Sequence, residues 1–599
     1  MKNRLSIICL AALAFCSCSD FLDPLQSGAY TEENYMDYPA ICRGFVEKAY
    51  YLRCNTYVNP RYIGTDCLAD DATWRSQSSS GLMLATGNAK MTDYYLEDIW
   101  KNDYNAIYYC NRFLEDNIGL NTRYLVDADA NFKLQRALQG DAYGLRAYFL
   151  YDLLKTFGGR STNGEMLGVP IFTEPTDPNT EDMSALKRAT FEECVSQILS
   201  DCDSAYKYLP LANRDFLKDP ESIPVLGAIR YRRLDGVAVK MLKALTQLMW
   251  ASPAFNPEND MSRWDAAART AKEVIDHKLN KEGHTIVADG FDPTKPFMWN
   301  NPNTTGAIYI SNIAANSSYE KAFYPIGFNG TANYGFTQEF VDAFPMANGY
   351  PISDPRSGYD PQNPYKGRDS RFNSTVFHNG SRVIRNTDAS DIMYTFNTVE
   401  GEGKDEPGLG NTSPTGYYIK KYVYLGWNAN DASTQTAQHC VFYYRWAHAC
   451  LVFAEAANHV AGPLDNGMYG LSAKDAIAYL RNRPQEDGGL GVGVNGDPYL
   501  DECAAAGTDV FDALVRNEWR LETCLEGFRF FNLRRWAKSV KDVNTTLHGM
   551  RVTKENGVPK YEIVELENRS YPSLWMPIPY REIRKASLME QNEGWESWK

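Results

Sequence analysis

Glu518, Glu522 and Glu526 stand four residues apart in a stretch that also holds Trp519, Leu521, Leu525 and Phe528, and Arg529, Arg534 and Arg535 follow directly. Four-residue spacing puts the three carboxylates on one face of a helix. The bulky apolar neighbours place some of these charges near a core. A carboxylate there needs a cation, and arginine supplies one through a planar, bidentate fork. The pattern therefore reads as an ion-pair network that locks helices together, with catalysis the weaker alternative.

Other residue sets have types that could do chemistry. Asp70 and Asp71 offer two carboxylates, the equipment with which a glycosidase flanks a glycosidic bond; solvated or backbone-capping aspartates explain them more simply. Residues Gly491 to Gly496 spell G-x-G-x-x-G. A dinucleotide site needs a strand before that motif and a helix directly after it. Here a helical pattern precedes and Asp497-Pro498 follows, so a surface loop is expected. Asp127, Asp129 and Asn131 begin like a calcium loop, but Phe132 replaces the turn glycine and Leu138 the closing glutamate. A helix-capping turn is expected there. The seven histidines form no H-E-x-x-H, and no G-x-S-x-G elbow occurs. No cofactor is expected, and a calcium site built from scattered oxygens stays open.

The elements that would position these residues are mainly helical. Leu134, Leu138, Ala142, Leu145, Phe149, Leu153 and Phe157 step by three or four and describe a long apolar face, closed by Gly158-Gly159. Asp93 to Asn117 carries a second such face and is expected to pair with it as a helical hairpin. Further helices are expected over Thr190 to Leu209, with Thr190 and Glu193 as a capping box, over Leu234 to Ala251, and over Ser262 to Leu279 with Ser262 as N-cap. A second helical region holds Tyr443 to Ala457, Ser472 to Asn482, and Val510 to Trp536. Repeated helical pairs suggest a tetratricopeptide-like stack, although no strict 34-residue consensus recurs. Between the two regions, from Phe291 to Gln438, Gly, Pro, Asn, Ser and aromatic residues replace apolar periodicity. Long irregular stretches of this kind commonly carry function. Short strands are expected at Ala307 to Ile310 and Tyr417 to Tyr424, and a second loop-rich stretch at Thr56 to Lys90.

The chain of 599 residues carries a formal charge of −14, with 39 Tyr, 27 Phe and 12 Trp. That charge repels phosphate backbones, so nucleic acid is not an expected partner. Lys2 and Arg4 precede an apolar stretch from Leu5 to Ala14, too short to span a bilayer and fitting a secretory signal. Ser17-Cys18 follows in the manner of a bacterial lipobox, with Cys18 a better acceptor than Cys16, although Phe15 departs from the usual aliphatic residue. Acyl chains on Cys18 would hold a soluble body at a membrane. None of the thirteen cysteines forms a C-x-x-C pair. Those beyond the export segment read as small buried apolar residues.

The segment from Glu518 to Trp536 resembles the C-terminal signature of SusD-like (RagB/SusD) lipoproteins, E-R-R-x-E-L-x-x-E-G-x-R-x-x-D-L-R-R-W, with Trp519, Thr523 and Asn532 departing from it. Gly140-Asp141-Ala142 through Phe157-Gly158-Gly159, Ala454-Glu455-Ala456, Trp575-Met576-Pro577-Ile578-Pro579 and Gln591-Asn592 are similar to other family segments in the family's order. Phe344 to Ile352, Arg368 to Phe372 and Cys18-Ser19-Asp20 are similar as well. The resemblance implies a mainly α fold: a tetratricopeptide-like helical-hairpin scaffold with a large loop-rich portion and a few short strands. It implies a non-catalytic, lipid-anchored outer-membrane protein at the cell surface. Such a protein binds polysaccharide or oligosaccharide and serves a SusC-like TonB-dependent transporter.

On this reading residues 1–17 are a signal peptide, 18–35 a tether, 36–290 and 439–599 the helical scaffold, and 291–438 the ligand-binding portion. Sugars need aromatic planes for their apolar faces and polar side chains for their hydroxyls. Composition of the loop-rich stretches selects Trp74, Arg75, Trp299, Asn301, Tyr319, Tyr324 and Tyr334 as glycan-binding candidates. The competing readings are a surface glycoside hydrolase, a helical-repeat adaptor for proteins, and a carrier of peptides or another nutrient.

Overall fold

The computed structural model describes residues 38–53, 60–176, 182–213, 230, 232–280, 306–311, 314–387, 390–428, 436–483, 490 and 496–598. Cys18, the signal segment, Cys54, Trp299, Asn301 and residues 491–495 lie outside them. The longer helices are α1 (Pro39–Leu52), α2 (Pro60–Cys67), α3 (Glu97–Leu114), α4 (Ala128–Phe157), α5 (Phe191–Tyr208), α6 (Gly236–Ala251), α7 (Met261–Asn280), α8 (Trp446–Ala461), α9 (Ala473–Arg481), α10 (Pro498–Ala505), α11 (Thr508–Glu522) and α12 (Arg529–Trp536). Nine of them form a series: α1 packs on α3, α3 on α4, α4 on α5, α5 on α6, α6 on α7, α7 on α8, and α8 on α9 and α11. This is the stack expected from the repeated apolar faces.

Local signals explain the helix ends. Asp127 caps α4 by accepting the Ala130 N–H at 2.8 Å, so the aspartates there serve a helix start. Thr190 and Glu193 form the expected capping box on α5. Ser262 is not the N-cap expected of it: it lies inside the first turn of α7, where the Asp260 carboxylate takes its N–H and its hydroxyl. Glycines let α4 approach its neighbours: a Cβ on Gly140 would meet Leu209 at 2.6 Å, and one on Gly144 would meet Leu234 at 2.8 Å.

Three expectations need correction. The stretch Val510 to Trp536 is not one helix. α11 ends at Glu522, and Leu525 and Gly527 adopt φ of 58° and 81° before α12 begins. A left-handed leucine is strained; here the Tyr422 hydroxyl donates to its carbonyl at 3.0 Å and its N–H donates to Asp66. Glu526 therefore leaves the face shared by Glu518 and Glu522. Second, Tyr443 does not start a helix: Phe442–Arg445 is a strand paired with Ala307–Ile310, and α8 starts at Trp446. Third, the C-terminal part is not all helical, because Thr546–Glu555 and Val558–Asn568 form a long antiparallel hairpin. Its turn is Asn556-Gly557, both with positive φ, the pair that suits a two-residue hairpin loop.

The loop-rich portion is built of short antiparallel pairs. Ala72–Trp74 pairs with Tyr334–Phe336, Val376–Phe377 with Tyr418–Ile419, Ala314–Asn316 with Ala437–His439, and Arg382–Thr387 with Ser390–Thr395. Strand structure in Tyr417 to Tyr424 is limited to two residues. The nine cysteines among the described residues are free and buried.

Ion pairs tie these layers together, through partners far away in sequence. Glu518 receives Arg371 at 2.9 Å and Arg481 at 2.7 Å. Glu522 receives Arg445 at 2.8 Å and Arg483 at 2.7 Å. Glu526 receives Lys421 at 2.8 Å and Arg445 at 3.0 Å. These cations hold all three carboxyls below their ordinary range despite burial. Arg535 clasps Glu455, which is 0% exposed and also accepts the indole N–H groups of Trp519 and Trp536. Arg534 departs from the expected network: it makes no ion pair among the described residues. Its guanidinium lies 3.6 Å from the centre of the Phe530 ring and 4.4 Å from that of Tyr571, and burial lowers its pKa to about 10.

Removing one partner of a buried pair strands the other. Glu455→Gln is expected to lower stability in urea melts by about 3–5 kcal/mol. Glu400→Gln, which breaks the half-exposed pair with Arg551, is expected to cost less than about 1 kcal/mol. Equal losses would contradict the assignment. Asp66 carries the opposite sign. It is fully buried, and burial, then the nearby Asp71, raises its pKa well above the carboxylate range. A raised folded pKa penalises the native state once pH climbs above the unfolded value of about 4. Asp66→Asn is therefore expected to gain stability over the parent at pH 8 and to lose that advantage at pH 4. A difference independent of pH would refute this.

Candidate functional site

The first loop-rich stretch owes its shape to charge. Asp70 and Asp71 follow α2 and meet the signature arginines: Arg529 Nε donates to Asp70 at 2.7 Å, and Arg520 Nε to Asp71 at 2.6 Å. Burial raises the Asp71 pKa, whereas Arg520 and Arg529 together pull Asp70 below its usual value in spite of its burial. Arginines engage both carboxylates, and Asp71 Oδ2 is left buried with no hydrogen-bond partner among the described residues. Arg569 adds donors to the carbonyls of Ala69, Cys67 and Ala72. The strand Ala72–Trp74 leaves this anchor and pairs with Tyr334–Phe336, setting Trp74 opposite Tyr334.

The candidates chosen by composition separate into three groups. Trp299 and Asn301 lie outside the described residues. Trp74, Tyr319 and Tyr324 are packed inside, at 6%, 2% and 0% exposure, and offer no open ring face. Trp74 meets Tyr95 edge-on at 5.7 Å and leans on Gly81, where a Cβ would clash at 2.4 Å. Tyr319 stacks on Tyr422 at 4.9 Å, and Tyr324 on Phe328 at 4.5 Å. These tyrosines are core because the loop-rich portion has few apolar helices and fills its interior with rings. Arg75 and Tyr334 form the third group. Both are partly exposed: Tyr334 lies opposite Trp74 and meets the Phe323 ring edge-on at 6.0 Å, and Arg75 follows Trp74 at the end of the strand.

The end of this strand pair contains residues the sequence did not single out. The Arg75 N–H donates to the Asn333 carbonyl at 2.8 Å, and Arg75 Nη2 donates to Asn333 Oδ1 at 3.3 Å. Asn333 N–H in turn donates to Ala322, beside the exposed Lys321. Ser76, Gln77 and Ser78 follow Arg75 as an exposed turn. No periodicity marks Asn333 or Lys321, because their proximity to Arg75 depends on a pairing across some 260 residues. Among the described residues, no group of three or more His, Cys, Asp or Glu side chains is placed to hold a metal ion. Arg75, Asn333 and the exposed turn from Ser76 to Ser78 gather guanidinium, amide and hydroxyl groups at the end of this strand pair, groups that can bond a polar ligand.

Comparison with known proteins gives a consistent picture. The SusD family model matches residues 294–595, just over half of the 599 residues. A second model, described as "Starch-binding associating with outer membrane", matches residues 20–228. No curated protein matches the sequence. The fold is similar to that of a SusD-like protein from Bacteroides fragilis NCTC 9343, at TM-score 0.70 and 22% identity over 94% of this chain and 98% of that one. A SusD-like carbohydrate binding protein from the same strain aligns at TM-score 0.67 and 16% identity, over 93% and 99% of the two chains. Surface glycan-binding protein A from Bacteroides fluxus aligns at 0.57 and 17%, again over 93% and 99%. A helical stack capped by a loop-rich portion, together with a family model that spans half of the sequence, establishes that this chain belongs to the SusD family.

Proposed function

We propose that this protein is a non-catalytic surface lipoprotein that captures polysaccharide or oligosaccharide and passes it to a SusC-like TonB-dependent transporter in the outer membrane. The observation that carries the reading is membership of the SusD family, and the partly exposed Tyr334, Arg75 and Asn333 of the short strand pair support it. Ring faces stack on the apolar side of a sugar, and amide and guanidinium groups bond its hydroxyls. Fold relatives whose names mention carbohydrate or glycan binding support the ligand class. Cys18 is the acylation site on this reading, tethering the body through residues that follow it.

Binding without chemistry fits the state of the carboxylates. Asp70, Asp71, Glu518, Glu522 and Glu526 are each engaged by arginine or lysine. A glycoside hydrolase needs one carboxyl free to give a proton and another to attack or to activate water. Release of reducing sugar by the purified protein would favour the hydrolase reading.

Affinity electrophoresis through gels containing single polysaccharides tests the proposal. Retardation is expected in at least one gel, and Tyr334→Ala is expected to weaken it about tenfold, or about 1.4 kcal/mol, while the variant still unfolds cooperatively. Trp74→Ala is expected to behave differently, losing about 3–5 kcal/mol of stability because its ring is packed. A Tyr334→Ala protein that binds like the parent would remove this edge as the site. Absence of retardation in every gel would remove the glycan reading.

A further inference from the structure

We infer that the edge around Arg75 selects acidic sugars, engaging a carboxylate or sulfate group carried by the glycan. The inference rests on the glycan-binding reading above and adds the charge of the ligand. Arg75 is half-buried and makes no ion pair among the described residues, and its Nε is buried with no hydrogen-bond partner there. Its one side-chain bond, from Nη2 to Asn333 Oδ1, is long at 3.3 Å. The carboxylate that Thr73 of the same strand contacts, Glu567, is already taken: Thr73 donates to it, and Arg569 reaches it at 2.7 Å. Arg520, Arg529 and Arg535 of the signature, by contrast, are each matched to a carboxylate. Arg75 is therefore a cation left open at an edge.

Its neighbours have the same polarity. Asn333 commits Oδ1 to Arg75, which leaves its Nδ2 as a donor. Thr331 N–H and Asn333 N–H donate to the carbonyls of Lys321 and Ala322 at 2.8 and 2.7 Å, which fastens Lys321 to the same junction. Lys321 is exposed and has no ion pair among the described residues. Guanidinium and ammonium groups have no acceptor to offer a hydroxyl, whereas a carboxylate or sulfate satisfies several such donors together. The chain as a whole carries −14, so its general field repels polyanions. Binding of an acidic glycan would have to come from a local cationic site, which makes it a demanding test.

The experiment uses the mature protein in affinity gels of polygalacturonate and alginate (carboxylates), carrageenan (sulfate), and soluble starch and galactomannan (neutral). Retardation is expected in a carboxylate or sulfate gel, the comparison of those arms identifying the group. It is expected to fall at least tenfold between 20 and 300 mM NaCl. Arg75→Gln with Lys321→Gln is expected to reduce it by a further tenfold or more, with an unchanged thermal melt; Arg75→Lys is expected to keep part of it. Retardation confined to neutral gels would overturn this inference and leave the glycan reading standing. Acidic-gel retardation that survives both glutamine substitutions would also overturn it. No retardation in any gel would overturn both.

Discussion

Buried carboxylates and the cations that reach them from distant segments hold this protein in one arrangement. Glu518 and Glu522 leave α11 to meet Arg371, Arg481, Arg483 and Arg445, residues from the loop-rich portion and from the neighbourhood of α8 and α9. A carboxylate without water is tolerated only with its partners in place. Each pair therefore specifies where its two segments lie, even where its net contribution to stability is small. Helix-on-helix packing is less discriminating, since apolar faces tolerate sliding and repacking.

The same constraint reaches the candidate site. Arg520 and Arg529 hold Asp70 and Asp71, and Arg569 holds three carbonyls around them. The strand that follows is thereby fixed relative to the C-terminal signature, and its pairing with Tyr334–Phe336 places Arg75 beside Asn333. A loop site on such an anchor keeps its geometry without a ligand, which lowers the ordering cost of binding. The strained Leu525 belongs to this scheme: its backbone bonds both Asp66 and Tyr422, joining the turn before α12 to α2 and to the loop-rich portion.

Aromatic residues divide their work in a way that bears on function. Most rings of the loop-rich portion stack on one another inside it, as Tyr319 does on Tyr422 and Tyr365 on His378. They replace the aliphatic core that amphipathic helices supply elsewhere. A surplus of aromatics in such a chain is therefore weak evidence for ligand platforms, and partial exposure is the better guide. By that guide Tyr334 remains and Trp74 does not.

The sequence by itself determined the helical stack, because apolar residues three and four apart form faces that must be covered by a neighbouring helix. It also determined the capping box at Thr190 and the ionic nature of the segment from Glu518 to Arg535, since charges among bulky apolar residues need partners. It carried the Asn556-Gly557 signal of the long hairpin too. The tertiary structure alone decided which cations those glutamates take, because Arg371, Arg445, Arg481 and Arg483 share no spacing with them. It alone decided the break between α11 and α12, where long-range bonds outweigh local helix preference. It alone separated buried from partly exposed rings and set Arg75 against Asn333. Pairing between strands so far apart in the chain leaves no local pattern to read, because neither strand's residues reveal which partner they will meet.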